Sequence, residues 1–117
     1  MRIMLNSKIH RATVTDTSID YEGSITIDED LLNDARILPF EQVRIYNISN
    51  GERFETYALK GVKGSGEICV NGAAARKVSK GDLIIIANYI IMNGDEACNY
   101  EPKCILVDSQ NKKVKYL

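Results

Sequence analysis

Apolar positions in this chain fall into short alternating or β-branched runs separated by polar turns, a pattern that predicts strands. Residues 2–15 read as a first strand that begins in the core at Ile3 and Leu5 and continues through Ile9 and Val14. Ser24–Asp28 is a strand by its β-branching. Gln42–Ile48 and Glu52–Leu59 form a hairpin around Asn50-Gly51, a favoured turn dipeptide. After the turn Lys63-Gly64-Ser65-Gly66 come strands at Glu67–Asn71, Leu83–Met92 and Lys103–Asp108. Two short helices interrupt them. Glu29–Arg36 takes Asp28 as its N-cap, sets Leu31, Leu32 and Ala35 on one face and stops at Pro39. Gly72–Val78 takes Asn71 as its cap. Residues 93–101 read as a polar loop, and the polar tail after Gln110 is expected to fray.

A faint repeat runs through this order. Gly23-Ser24-Ile25-Thr26-Ile27-Asp28 aligns with Gly66-Glu67-Ile68-Cys69-Val70-Asn71, and each copy is followed by a short helix and another strand. Two such units suggest a pseudo-twofold small barrel; an α+β sandwich with chance similarity is the alternative.

At 117 residues the chain suits one domain, and 44% hydrophobic content is enough to bury a core. Fifteen basic residues against 16 acidic ones leave no basic excess for a nucleic-acid partner. No apolar run has membrane length, and no charged-then-apolar leader opens the chain, so a cytoplasmic protein is expected. Cys69, Cys98 and Cys104 show no metal-binding spacing, so no metal is expected.

The candidate chemistry starts at Gly23-Ser24. A serine hydroxyl after glycine can attack the preceding carbonyl and shift the acyl group from nitrogen to oxygen. Elimination and hydrolysis would then leave a pyruvoyl group at residue 24 and two pieces, 1–23 and 24–117. The dipeptide alone fits an ordinary turn and edge strand far better. At Asn71-Gly72-Ala73-Ala74, a capped helix start with small residues could offer free N–H groups to an anion, or be only a well-capped helix. Alternation puts Arg53, Glu55 and Tyr57 on one strand face, with Phe54 and Thr56 on the other. There Arg53 could grip a carboxylate and favour an ionised Tyr57. Lys8 and His10 share a face of the first strand and, with Arg11, suit an anionic ligand, although a solvated face is the default.

Taken together, Ser7-Lys8-Ile9-His10-Arg11-Ala12, Tyr21-Glu22-Gly23-Ser24, Asn50 through Tyr57, Asn71 through Ala75 and Gly81-Asp82 resemble the L-aspartate 1-decarboxylases of pantothenate biosynthesis. The resemblance covers nearly the whole chain as one barrel domain. It implies a mainly β, small double-psi β-barrel with short helices, assembled as a homotetramer with active sites between subunits. It also implies a pyruvoyl cofactor made from Ser24 after cleavage at Gly23, with neither metal nor pyridoxal phosphate, acting on L-aspartate through a Schiff base. By resemblance Tyr57 is the proton donor, and Lys8, Arg53, Thr56, Gly72, Ala73 and Ala74 bind substrate. Thr56 also assists cleavage, while His10, Tyr21 and Asn71 support the site. The chain departs mildly at Glu52, acidic where some relatives are basic, and in its short tail. A non-enzymatic barrel that recognises a peptide is the competing reading.

Overall fold

Isoleucine dominates the interior. Ile9, Ile25, Ile27, Ile45, Ile68, Ile84, Ile86 and Ile105 are fully buried and all lie on strands, where β-branched side chains lose little rotamer freedom. In the computed structural model, which describes residues 1–117, the elements in chain order are as follows. β1 (Arg2–Thr13), β2 (Asp16–Ser18) and β3 (Ser24–Asp28) precede α1 (Glu29–Ala35). β4 (Gln42–Asn47), β5 (Arg53–Gly61) and β6 (Ile68–Asn71) lead to a 3-10 helix at Gly72–Lys77. β7 (Leu83–Met92), α2 (Gly94–Ala97), β8 (Lys103–Val107) and β9 (Lys113–Tyr116) complete the chain.

The strand order is β2-β6-β3-β5-β4-β7-β1-β8-β9. The repeat seen in the sequence is visible here as pairing. β3 and β6 run antiparallel with Ile25 opposite Val70, and the strands that follow their helices, β4 and β7, are antiparallel too. β5 pairs parallel with β3 and antiparallel with β4. β2 and β1 do the same for the other half, parallel with β6 and antiparallel with β7. No ladder closes the order into a ring. Only Val14 and Thr15 separate β1 from β2, however, so the chain itself links the edge strand β2 to β1 inside the other half of the sheet, and Thr15 N–H donates to the Ile68 carbonyl at 2.8 Å.

Several expected details are corrected. β1 carries irregularities between Leu5 and Ser7 and between Ile9 and Ala12, the second with Arg11 at φ 66. An extra residue flips the face of everything before it. Ile3 is therefore 72% exposed, and the buried stretch starts at Ser7. α1 ends at Ala35, before Pro39, because Arg36 adopts a left-handed cap at φ 58 with its N–H on the Asn33 and Leu32 carbonyls. The 93–101 loop contains the single turn α2, capped by Asn93. The tail does not fray. Buried Asn111 donates to the carbonyls of Thr13 and Gly66 and accepts from Thr13 N–H, and β9 then pairs with β8.

Asp28 ties the end of β3 to the turn before β6. Its carboxylate accepts N–H bonds from Asp30 at 2.8 Å, Gly64 at 2.9 Å and Gly66 at 2.8 Å while being 1% exposed. Burial pushes its pKa up, but the three donors and nearby Lys112 outweigh that and hold it below the ordinary carboxylate value.

Candidate active site

Ser24 opens β3 with no exposed surface, whereas Tyr21, Glu22 and Gly23 before it are exposed. The Gly23–Ser24 peptide therefore passes from surface to interior in one step. Across the ladder Ser24 faces Asn71, whose Nδ2 donates to Ser24 Oγ at 2.8 Å and to Thr26 Oγ1 at 3.2 Å. Asn71 Oδ1 accepts from Cys69 Sγ at 3.3 Å. A side chain spent across the ladder is not free to cap, and Asn71 makes no capping bond to the helix that follows. That helix is 3-10 in form. A donor on Ser24 Oγ occupies a lone pair, leaves the O–H free and favours a negatively charged oxygen.

Gly72 lies against the same segment with φ +71. A Cβ there would stand 2.7 Å from Gly23 Cα, 2.7 Å from Gly23 N and 2.9 Å from the Tyr21 carbonyl oxygen. Only glycine permits this approach. At Gly23 an added Cβ would meet nothing within 4 Å, so packing does not demand glycine at that position.

The parallel β3–β5 ladder begins with Ile25 opposite Ala58. One register step earlier puts Tyr57 beside Ser24. Thr56 precedes it, opposite Val43 on β4, and both are half-buried. Arg53 is four residues from Tyr57, roughly 13 Å along an extended strand. Its guanidinium stacks on the Tyr46 ring at 4.0 Å and not on Tyr57. Tyr46 Oη in turn bonds Tyr89 Oη at 2.8 Å, which with burial raises the Tyr89 pKa. Glu55 pairs with Arg44 at 3.4 Å.

Lys8 and His10 lie on β1, with β5, β4 and β7 between them and β3 in strand order. His10 Nδ1 is buried without a partner. Burial, then the charges of Lys8 and Arg11, hold the His10 pKa below its usual value. The fold thus gathers Tyr21, Gly23, Ser24, Asn71 and Gly72, with Tyr57 adjacent by register. No hydrogen bond or ion pair joins Lys8, His10 or Arg53 to that group. Ala73 is exposed and Ala74 half-buried on the 3-10 helix.

Sequence reading missed Thr26 and Cys69 as members of the Ser24 network. Alternation was the available signal. Thr26 lies two residues after Ser24 and Cys69 two before Asn71, hence on the same faces, and the two are register partners. The largest cleft, about 450 Å³, lies elsewhere, lined by Ile3, Arg44, Tyr46, Tyr89 and Ile91 among others.

A barrel with this pairing belongs to the double-psi β-barrel class. The crystal structure of the rationally designed mkDPBB_sym_86 protein superposes with TM-score 0.50 over 70% of this chain and 95% of its own, at 10% identity, which supports the fold alone. Residues 1–114 match the family model described as aspartate decarboxylase, and the chain belongs to that family of carboxy-lyases. Aspartate 1-decarboxylase of Syntrophus aciditrophicus is 60% identical over 95% of this chain and 96% of that protein. The enzyme of the same name from Thermoanaerobacter pseudethanolicus is 58% identical over 97% of both, and that of Neisseria meningitidis 56% over 95% and 87%. No helix is long and apolar enough to cross a membrane.

Proposed function

We propose that this chain converts L-aspartate to β-alanine and CO₂, for pantothenate synthesis, at a pyruvoyl group generated from its own Ser24. One observation carries the reading: a buried serine hydroxyl, held by the Asn71 amide, directly follows an exposed glycine that Gly72 leaves unobstructed.

In the proposed cleavage, Ser24 Oγ attacks the Gly23 carbonyl carbon and the amide nitrogen leaves, giving an ester. Loss of the Ser24 α-proton expels Gly23 as a carboxylate and leaves dehydroalanine at 24. Water then converts this to the ketone and releases ammonia. Asn71 Nδ2 supports charge on Ser24 Oγ, and Thr56 is assigned to steady the oxyanion at the Gly23 carbonyl.

The residues fit the group: a small buried side chain, an amide donor beside it and glycine backbone facing it. A pyruvoyl ketone supplies an electrophile and electron sink for an amino-acid substrate. Tyr57, next to Ser24 in register, is assigned the proton delivered to the carbon that loses CO₂. Gly72, Ala73 and Ala74 offer backbone N–H groups to substrate, with Tyr21 and His10 in support. Arg53 and Lys8 suit the two carboxylates. Neither bonds to the Ser24 group of its own chain, and a site shared between chains of a homotetramer would let a neighbouring copy supply them. Exposed Ile3 and Ile91 offer apolar surface for such contact. One methylene is worth only ~1–3 kcal/mol, so glutamate must be rejected by pocket length.

The test is denaturing mass spectrometry of aged wild-type protein and Ser24→Ala. Wild type should give fragments 1–23 and 24–117, and Ser24→Ala one inactive chain of 13.1 kDa. An active wild type that stays whole would refute the pyruvoyl mechanism, whereas a wild type both whole and inactive would favour the peptide-recognition barrel.

A further inference from the structure

We propose that Cys69 is a positioning residue for cleavage, because its thiol fixes which end of the Asn71 amide faces Ser24. This rests on the self-cleavage reading above.

A carboxamide presents a donor at one end and an acceptor at the other, so its two orientations have opposite effects on a neighbouring hydroxyl. With Nδ2 toward Ser24, the oxygen receives a hydrogen bond that strengthens as negative charge develops on it. With Oδ1 toward Ser24, the hydroxyl would donate into the amide, its proton would be held, and developing charge would face a lone pair.

Ser24 and Thr26 do not choose between these states. Each hydroxyl donates or accepts equally well by rotating about its C–O bond. The group on the other end of the amide does choose. Cys69 Sγ stands 3.3 Å from Asn71 Oδ1; a neutral thiol can donate or accept weakly, but an amide oxygen is a much better acceptor than sulfur, so S–H toward Oδ1 is favoured over N–H toward Sγ. Burial, then the charges of Asp16 and Glu67, push the Cys69 pKa up, so the group stays S–H at neutral pH. Its place is fixed by the ladders: Cys69 is opposite Thr26 on one side and Asp16 on the other. The thiol therefore draws Oδ1 to its own side and leaves both Nδ2 hydrogens for Ser24 and Thr26, as observed.

Cys69→Ala removes the donor, and Cys69→Ser keeps one. Freshly made precursors of both and of wild type are followed to fragments by denaturing mass spectrometry, with thermal melting of each in parallel. Cys69→Ala should be cut roughly three- to tenfold more slowly, the factor expected for one neutral hydrogen bond. Cys69→Ser keeps a donor beside Asn71 Oδ1, but one that also accepts, so it should cut at a rate between those of Cys69→Ala and wild type. Should Cys69→Ala fail to fold, Cys69→Val removes the donor while keeping bulk. Equal rates for Cys69→Ala and wild type, or a Cys69→Ser as slow as Cys69→Ala, overturn the assignment. A purely structural role would lower melting without this split between serine and alanine. Wild type that never cuts removes the cleavage reading itself, whereas normal cutting in every variant removes only the role of Cys69.

Discussion

Gly72→Ala tests the close approach beside the scissile bond. The new methyl would stand 2.7 Å from two Gly23 backbone atoms, while ordinary contact begins at about 3.4 Å. One of the two segments must yield by roughly 0.7 Å, the difference between those distances. Neither is the end of a flexible side chain, so the shift falls on backbone. Overpacking of this kind costs ~1–3 kcal/mol, and left-handed backbone costs a residue with Cβ a further ~1–2 kcal/mol. Gly51 provides the matched control. It has φ +80, yet an added Cβ meets nothing within 4 Å. Gly51→Ala therefore carries the backbone cost alone. Urea unfolding should show Gly72→Ala losing roughly 2–5 kcal/mol and Gly51→Ala ~1–2 kcal/mol. Cleavage should separate them further. A displacement near 1 Å at reacting atoms costs on the order of 100-fold in rate, so Gly72→Ala should cut about 100 times more slowly while Gly51→Ala cuts normally. If the two variants cut alike, and lose equal stability, the reasoning about crowding at Gly23 is wrong.

Tyr57→Phe should cut normally but release β-alanine ~10²–10⁴-fold more slowly, as expected for loss of a general acid; near-normal turnover would remove Tyr57 from that role. The Asp28 pKa is lower in the fold than the reference 3.8, so its carboxylate stabilises the protein above the unfolded value. That stabilisation should fade as pH falls below about 4 through the folded value. Asp28→Asn sets an NH₂ or loses an acceptor against three backbone donors, and should cost ~1–3 kcal/mol at pH 7, a gap that narrows in acid. An unfolding series whose wild-type and Asp28→Asn curves stay parallel from pH 7 to pH 2 would count against Asp28 as the anchor.

The repeat in the sequence foretold two matching strand–helix–strand units, because alternation and turn residues are local signals; that β3 pairs with β6 and β4 with β7 came only with the fold. What stayed hidden depends on single residues answering to distant ones. The Ile3 error came from extra residues in β1, which no periodicity reveals until the opposite strand is placed. The tail looked frayed because its composition is polar, yet Asn111 satisfies backbone groups of Thr13 and Gly66 far away in the chain. Asn71 was legible as important, but as a helix cap. The partner that takes it away from that task, Ser24, lies 47 residues earlier. Arg53 and Lys8 carry the right chemistry but make no bond to the Ser24 group, and sequence spacing is silent on neighbouring chains.

β1 lies inside the sheet, hydrogen-bonded to β7 on one side and β8 on the other. A cut after Gly23 would therefore leave the small piece as an interior stave gripped from both flanks. Such a nicked molecule is a two-component complex when it melts. Its midpoint should climb with protein concentration more steeply than that of the uncut precursor.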